Sequence, residues 1–527
     1  MLDYQQTILT YAKSSYDSLG KKAYFEFYGK KLSYDTFFDL VDNCAENMAR
    51  LGIGKGTVVT LTLPNCPQFI IAVYALSKIG AICSMISPLA SKNTVEKAME
   101  KTGSKIIIVS TLCPHEFSGQ VIRVHFNYFM PLIKKTVLAI KKHYSDGFAF
   151  ENLLVKTKPP YIAKETDDFD GTAFLLHSGG TTGEPKTVML SQKAVNYCAM
   201  TITGNIQDNG IKPQDDITCA YILPLFYGYG LGVMHTQVSN AYNNVIRAKF
   251  KPDELAKDFK KNDINLMFGV PFMYAKMLKT GLWNKEQVKN LKLCYIGGER
   301  LTEELNDEYK KAFPNSLLVE GYGMTEAVTA FLAGSLKGVK KNSCGQINDF
   351  IKVEVFENGV PQPRNTEGEV CICTKAVMNG YFNDPETTKN TLFTYQGETW
   401  LKTGDYGRVD EDGFVYLIQR IKNIIKRKGV NIFPLQVENS VSTLDFVTGV
   451  KVFGHKDKED VERIICAVTL KDAPENAVEL IKKQVSTDIS VISTPEYVLI
   501  VDEFPLTTVG KVDVKKLDEK LKDVQFK

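Results

Sequence analysis

Nine residues, Ser178-Gly179-Gly180-Thr181-Thr182-Gly183-Glu184-Pro185-Lys186, follow the apolar run Phe174-Leu175-Leu176. The glycines expose backbone N–H groups, the hydroxyls offer oxygen to phosphate or metal, and the lysine closes the stretch with a cation. That is the chemistry of a polyphosphate clamp. Two other readings stay open on these residues alone, an ordinary Gly/Thr-rich turn and a Walker-type P-loop. The second requires Gly-Lys-Ser/Thr in direct succession, whereas Glu184 and Pro185 separate Gly183 from Lys186. Pro185 also removes a donor, which argues against a phosphate nest running straight into a helix.

Three further stretches end an apolar strand on glycines. They are Ile222-Leu223-Pro224-Leu225-Phe226-Tyr227-Gly228-Tyr229-Gly230-Leu231-Gly232, Leu293-Cys294-Tyr295-Ile296-Gly297-Gly298-Glu299-Arg300, and Leu317-Leu318-Val319-Glu320-Gly321-Tyr322-Gly323-Met324-Thr325-Glu326. Ligands of open α/β sheets sit at the carboxyl ends of strands, so these junctions are expected to converge on one crevice. In the first, aromatics flanked by glycines read as a loop able to line an apolar cleft, although a plain core turn has the same appearance. Farther on, Thr403-Gly404-Asp405 and the Asp412-Gly413 hairpin signal lead to Arg420-Ile421-Lys422-Asn423-Ile424-Ile425-Lys426-Arg427-Lys428-Gly429. Near the end, Pro505-Leu506-Thr507-Thr508-Val509-Gly510-Lys511 presents one lysine on a loop.

The elements that must position these residues are legible in outline. A chain of 527 residues with 44% hydrophobic and 24% charged residues exceeds one compact core and reads as a soluble protein of two or more domains. Its net charge of +3 gives no footing for nucleic-acid binding. Residues 23–33 predict a hairpin with a Gly29-Lys30 turn, and Ser33 opens a helix through Phe37, Phe38, Leu40, Val41, Ala45 and Met48. Strands around Val58, Ile106 and Val121 alternate with helices, implying an α/β domain with parallel sheet. The hydrophobic stretch 69–87 carries Lys78 and Gly80, which favours a buried helix over a membrane span, and the N-terminus lacks the pattern of a signal peptide. Leu132, Ile133, Val137, Leu138 and Ile140 among Lys134, Lys135, Lys141 and Lys142 predict a short basic amphipathic helix; residues 131–143 either touch a membrane surface or simply cover the core. Eleven scattered cysteines without a Cys-x-x-Cys pair, and six isolated histidines, fit reduced thiols in a cytoplasmic protein better than disulfides or zinc. The texture turns β-rich from Gly368, and past Lys428 about a hundred residues suffice for a small independent domain.

Together these stretches resemble the ANL superfamily of adenylate-forming enzymes, in the family's order and over nearly the whole chain, from the strand around Val58 to Lys511. The resemblance implies an α/β fold, with a large N-terminal AMP-binding domain of packed mixed sheets with helices and a β-rich subdomain over residues 1–421. A small mobile α+β C-terminal lid domain would follow over 422–527, with its hinge near Lys422. It implies joining a carboxylate to the α-phosphate of ATP, release of pyrophosphate, and transfer of the acyl group to a thiol, that of coenzyme A by preference, as in fatty acid metabolism. On this resemblance Ser178, Gly179, Gly180, Thr181, Thr182, Gly183 and Lys186 hold the departing pyrophosphate. Thr325 binds the α-phosphate, and Glu326 with Thr182 holds Mg2+. Gly321, Tyr322, Gly323 and Met324 lie at the adenine, with Gly298, Glu299 and Arg300 as another wall. Asp405 takes the ribose hydroxyls beside Arg420. Lys511 bridges carboxylate and ATP in the first half-reaction. Phe226, Tyr227, Gly228, Tyr229, Gly230 and Gly429 line the acyl and thiol passage, and the basic run ending at Lys428 meets the phosphates of coenzyme A.

Two departures bear on the acceptor. Tyr227 stands where many relatives have histidine, so aromatic gating survives but titration near neutrality does not. Pro-Leu-Thr-Thr-Val-Gly-Lys is closer to peptide-synthetase wording. Against that, the 226–232 stretch lacks an aspartate for a substrate ammonium, and no carrier module follows Lys527. The alternatives are therefore a stand-alone enzyme loading a carrier-protein thiol and a non-catalytic adenylate-binding protein. Glycines at 228, 230 and 232 predict room for an extended or bulky apolar acid.

Overall fold

Ser33 Oγ accepts a hydrogen bond from the Thr36 N–H at 3.2 Å and so caps the helix Tyr34–Arg50, which buries Phe37, Phe38, Val41, Cys44, Ala45 and Met48. Before it, Tyr24–Phe27 and Lys30–Ser33 pair as the expected hairpin. Its turn is Tyr28-Gly29, one residue earlier than Gly29-Lys30, because a two-residue turn matching strand twist needs positive φ at both positions, and these have φ 52° and 108°. The structure is a computed structural model that describes residues 3–132, 144, 146–156, 163–177, 186–283, 286, 288–329, 332–335, 338, 340–427, 430–457, 462–505, 512–521 and 524. The chain divides into two units, Met1–Lys352 with Ile372–Leu401, and Val353–Cys371 with Lys402–Lys527.

The first unit holds two mixed sheets, each of eight strands among the described residues. One orders its strands Leu332–Ala333, Leu317–Tyr322, Leu293–Ile296, Ile264–Gly269, Thr218–Tyr221, Asn243–Ile246, Tyr24–Phe27 and Lys30–Ser33. All are parallel except the pairs at its two ends. The other runs Gly380–Tyr381, Thr187–Ser191, Thr172–His177, Ile82–Met85, Val58–Thr62, Ile106–Ser110, Gln120–Val124 and Phe148–Ala149, antiparallel only at its first two pairings. The hydrophobic stretch near residue 69 forms the helix Pro67–Lys78, with eleven of its twelve residues buried. No described helix is long and apolar enough to cross a membrane. All eleven cysteines are free thiols, nine of them buried.

The second unit opens with the hairpin of Lys352–Glu357 and Val360–Pro361, neighboured by Gly368–Cys373. The far part of the strand Glu398–Val409 pairs there with Val415–Arg420. Beyond these lies a three-stranded sheet, Val447–Lys456, Glu462–Leu470 and Tyr497–Ile500. Side chains of its central strand alternate between two cores. Ile464, Cys466 and Val468 pack with Val437, Val441, Ile481 and Val485, whereas Ile465 and Ala467 pack with Leu517 and Leu521. The chain is thus α/β in its large part, with a β-rich stretch and a separate α+β C-terminal part.

Candidate active site

The stretch 178–186 connects two antiparallel strands. Thr172–His177 leads into it, Thr187–Ser191 leads out, and His177 pairs with Thr187 across its base. A P-loop runs from strand to helix, so the strand at Thr187 removes the Walker reading. His177 ties the stems together: its Nε2 is 3.0 Å from Ser84 Oγ and its Nδ1 3.2 Å from Thr187 Oγ1. Burial, with a smaller push from Lys101, lowers this imidazole to about 4, so it stays neutral near pH 7. Ser178, Gly179, Gly180, Thr181, Thr182 and Gly183 lie outside the described residues, as do Gly429, Lys511 and residues 133–143. Lys186 is described and exposed.

In the other sheet the strand-to-glycine junctions do converge. Gly269 is paired with Ile296, and Ile296 with Glu320, so the last residues of two strands lie level with the end part of their parallel neighbour Leu317–Tyr322. The Gly297 N–H donates to Gly269 O at 3.1 Å. A Cβ on Gly297 would stand 3.3 Å from both Gly321 O and the Tyr229 ring. One on Gly228 would stand 3.2 Å from Thr325 Cα. Gly228, Tyr229, Gly297, Gly321 and Thr325 therefore share one wall. Gly298, at φ 82°, turns the chain out of its strand toward Glu299 and Arg300. Tyr322 ends the neighbouring strand, and Gly323 and Met324 follow it.

Two expectations about the aromatic stretch are corrected. The glycines are not in a loop but in the first turns of the helix Gly228–Ser239, which starts directly after Phe226 and Tyr227. Nor do they leave space for an acid. A Cβ on Gly230 would fall 2.0 Å from Pro224 O, and one on Gly232 3.0 Å from Cys198 Sγ and Val328 O. The protein's own backbone fills that room, and close approach overrides the poor helix propensity of glycine.

Thr325–Ala327 form a single 3₁₀ turn, followed by Val328 and Thr329 at φ 55° and 88°. β-branched residues in that region are strained and persist only where the surroundings hold them. Here Cys198 Sγ donates to Val328 O at 3.7 Å and Thr329 O at 3.5 Å, and the Thr329 N–H donates to Met324 O at 2.9 Å. Glu326 is held at both ends. Its carbonyl accepts from the Met378 N–H at 2.8 Å, and its Oε1 accepts from the Tyr381 hydroxyl at 2.8 Å. Lys186 Nζ lies over the same tyrosine ring, 4.8 Å from its centroid. Among the described residues no group of three or more His, Cys, Asp or Glu could hold a metal. One half-buried carboxylate beside the Thr325 hydroxyl fits Mg2+, which takes one or two carboxylates and completes its shell with substrate phosphates and water. Glu326 would hold it, and the ion would neutralise charge on the polyphosphate.

In the second unit Asp405 and Arg420 face each other across adjacent strands. Arg420 Nε lies 2.9 Å from Asp405 Oδ1, and its Nη1 donates to Thr403 O at 2.9 Å. Thr403 Oγ1 donates to Val370 O at 2.6 Å and accepts from the Asp405 N–H at 3.0 Å, while Gly404 turns at φ 69°. Asp405 is 5% exposed, its carboxylate facing the Arg420 guanidinium and its N–H held by Thr403. Lys422 lies in the short 3₁₀ turn Ile421–Asn423 directly after Arg420.

Sequence reasoning missed two residues here. Tyr381 sits in Gly380-Tyr381-Phe382, far from the quoted motifs, and nothing local announces it. Glu320 was visible as one acid inside an apolar strand. Burial pushes its carboxyl up to about 7, against the Arg300 charge and a hydrogen bond from the Leu301 N–H, both of which act the other way.

Known proteins match this arrangement along its length. The AMP-binding enzyme family model covers residues 13–382, and that of the AMP-binding enzyme C-terminal domain covers residues 436–511. The chain is 29% identical over 511 residues to 4-coumarate–CoA ligase 3 of Oryza sativa subsp. japonica, covering 94% of this chain and 88% of the relative. It is 28% identical to 4-coumarate–CoA ligase 2 of Petroselinum crispum, covering 94% and 90%. In fold it is similar to ATP-bound MatB from Rhodopseudomonas palustris, with a TM-score of 0.81 at 20% identity over 98% of this chain and 99% of that one. The o-succinylbenzoate coenzyme A synthetase MenE of Bacillus subtilis, in complex with AMP, gives a TM-score of 0.76 at 21% identity over 99% of both chains. With the family match running through most of its length, the chain belongs to the AMP-binding enzyme family, within the ANL superfamily of adenylate-forming enzymes.

Proposed function

We propose that this protein activates a carboxylic acid with ATP and Mg2+ and passes the acyl group to coenzyme A. A carboxylate oxygen attacks the α-phosphorus and pyrophosphate leaves; the thiol sulfur then attacks the acyl carbon and AMP leaves. The observation that carries the reading is the shared wall of Gly228, Tyr229, Gly297, Gly321 and Thr325, which sets an aromatic lining against the threonine assigned to the α-phosphate. Such alignment and charge neutralisation, rather than a general base, is what carboxylate attack on a polyanion needs. The 4-coumarate–CoA ligases among its relatives support coenzyme A as acceptor.

In this reading Thr181, Thr182, Gly183 and Lys186 hold pyrophosphate, Tyr322 with Gly298, Glu299 and Arg300 lines the adenine, and Asp405 with Arg420 holds the ribose. Lys511 serves the first half-reaction and Gly429 the second. Residues 1–421 act as the large domain and 422–527 as a lid that alternates between two poses about Lys422. The eleven free thiols support a reducing compartment, the cytoplasm.

The deciding experiment is ATP–pyrophosphate exchange over a panel of free acids from acetate to long-chain and aryl acids, 4-coumarate included, followed by loss of free coenzyme A thiol. Acid-dependent exchange with thiol loss is expected. Exchange without thiol loss would hand the function to the carrier-protein alternative, and no exchange with any acid, while nucleotide still binds, would leave a binding protein.

A further inference from the structure

Lys186 and Glu326 are 140 positions apart in sequence and meet on one side chain, Tyr381. The tyrosine is 4% exposed and its backbone is pinned on two sides. It pairs with Val188 on the strand leaving the loop, the next N–H, that of Phe382, donates to Thr187 O at 2.8 Å, and its own N–H donates to Thr388 Oγ1 at 2.9 Å. Thr388 Oγ1 in turn donates to Asp384 O at 2.8 Å. The ring is thus a fixed post planted on the loop's exit strand, with the hydroxyl at one end and a cation over its face.

We propose that Tyr381 is a positioning residue for the metal–nucleotide: its hydroxyl aims the Glu326 carboxylate at the magnesium ion, and its ring aims Lys186 at the pyrophosphate end of the same ligand. The inference rests on the reading of Glu326 as the metal carboxylate. Two features support it. A donor on one carboxylate oxygen removes rotational freedom from Glu326 and leaves the other oxygen to point at a cation, the arrangement that partners of metal ligands generally supply. A lysine over an aromatic face keeps its ammonium in a narrow set of positions.

Two substitutions separate the hydroxyl from the ring. Tyr381→Phe keeps the ring and removes one oxygen; Tyr381→Leu removes both. Mn2+ replaces Mg2+ as a paramagnetic probe, and its affinity for the full-length protein saturated with α,β-methylene-ATP is read by electron paramagnetic resonance, so no turnover is needed. Tyr381→Phe is expected to weaken Mn2+ binding about tenfold, with metal-free nucleotide affinity and inhibition by inorganic pyrophosphate within about twofold of the parent. Tyr381→Leu is expected to show the same metal loss and, in addition, a several-fold weaker pyrophosphate inhibition. Glu326→Gln serves as the reference. If it abolishes Mn2+ retention while Tyr381→Phe leaves it unchanged, Tyr381 is only a packing residue and the proposal falls. If Glu326→Gln itself leaves Mn2+ binding intact, the reading of Glu326 fails first and takes the proposal with it. Should Tyr381→Leu not fold, the phenylalanine variant, which occupies the same space, decides alone.

Discussion

Two groups of candidate residues, one in each unit, are held in opposite ways. In the second unit Asp405 and Arg420 are fifteen residues apart and meet because one antiparallel pair puts them in register. In the first unit Gly228 and Thr325 are 97 apart, Glu326 and Tyr381 are 55 apart, and they meet only because separate strands and helices pack at one edge. The Asp405–Arg420 pair is a local device fixed by hydrogen bonds; the wall of Gly228, Tyr229, Gly297, Gly321 and Thr325 is a tertiary device fixed by backbone closeness. The first should tolerate substitution in its frame and lose only chemistry, and the second should lose fold and chemistry together.

Gly230→Ala puts the contrast to its hardest test. Its Cβ would sit 2.0 Å from Pro224 O, so the start of the helix Gly228–Ser239 must move off the Leu223-Pro224-Leu225 segment. A cost of about 3 kcal/mol is expected, with loss of acid-dependent exchange. Thermal unfolding with exchange assays checks this, and a variant of parental stability would mean the wall is looser than it is drawn.

Asp405→Ala should behave in the reverse manner. Loss of two hydrogen bonds to ribose hydroxyls lowers kcat/KM for ATP by roughly a hundredfold. Arg420, 43% exposed on its side chain, is released to water, so unfolding should shift by less than about 1 kcal/mol. A large fall in thermal stability would show the pair to be part of the frame.

Glu320→Gln sharpens the comparison through pH. The folded carboxyl, near 7, lies above its ordinary value of 4.5. Between those values the folded protein binds more protons than the unfolded chain, so stability is greatest below pH 4.5 and declines as pH rises through 7. The glutamine removes that decline. The variant should match the parent near pH 5 and exceed it at pH 8, by on the order of 1 kcal/mol since the group is partly solvated. Urea unfolding at the two pH values reads the difference, and an equal gap at both would rule out burial of charge as the cause.

Gly404→Ala carries the smallest effect. Gly404 holds φ 69°, but a Cβ there meets only Arg420 Nη1 at 3.8 Å. The cost is that of a left-handed backbone, about 1 kcal/mol, with ATP affinity changed a few-fold at most. The ratio of the Gly230 to the Gly404 effect, measured by the same unfolding assay, expresses packing against conformation directly.

What the sequence by itself determined is what short-range physics writes into neighbouring residues. Ser33 as a cap, the period of the Tyr34–Arg50 helix and the apolar strands ending on glycine all follow from spacing over a few residues. The resemblance built on those motifs located the family, because each motif is a contiguous stretch. Tertiary structure alone decided which of them touch. That Gly230 and Gly232 are filled by Pro224 and Val328 rather than by a ligand could not be read from glycines in a row, since room beside a glycine depends on what packs there from elsewhere. Nor could Tyr381 be found: its partners lie 55 residues before it and on a strand of another hairpin, and no local periodicity encodes a hydroxyl 2.8 Å from a distant carboxylate. Even the stretch 178–186, read from its residue types as a clamp, owes its strand-to-strand setting to the pairing of His177 with Thr187, which only the folded sheet supplies.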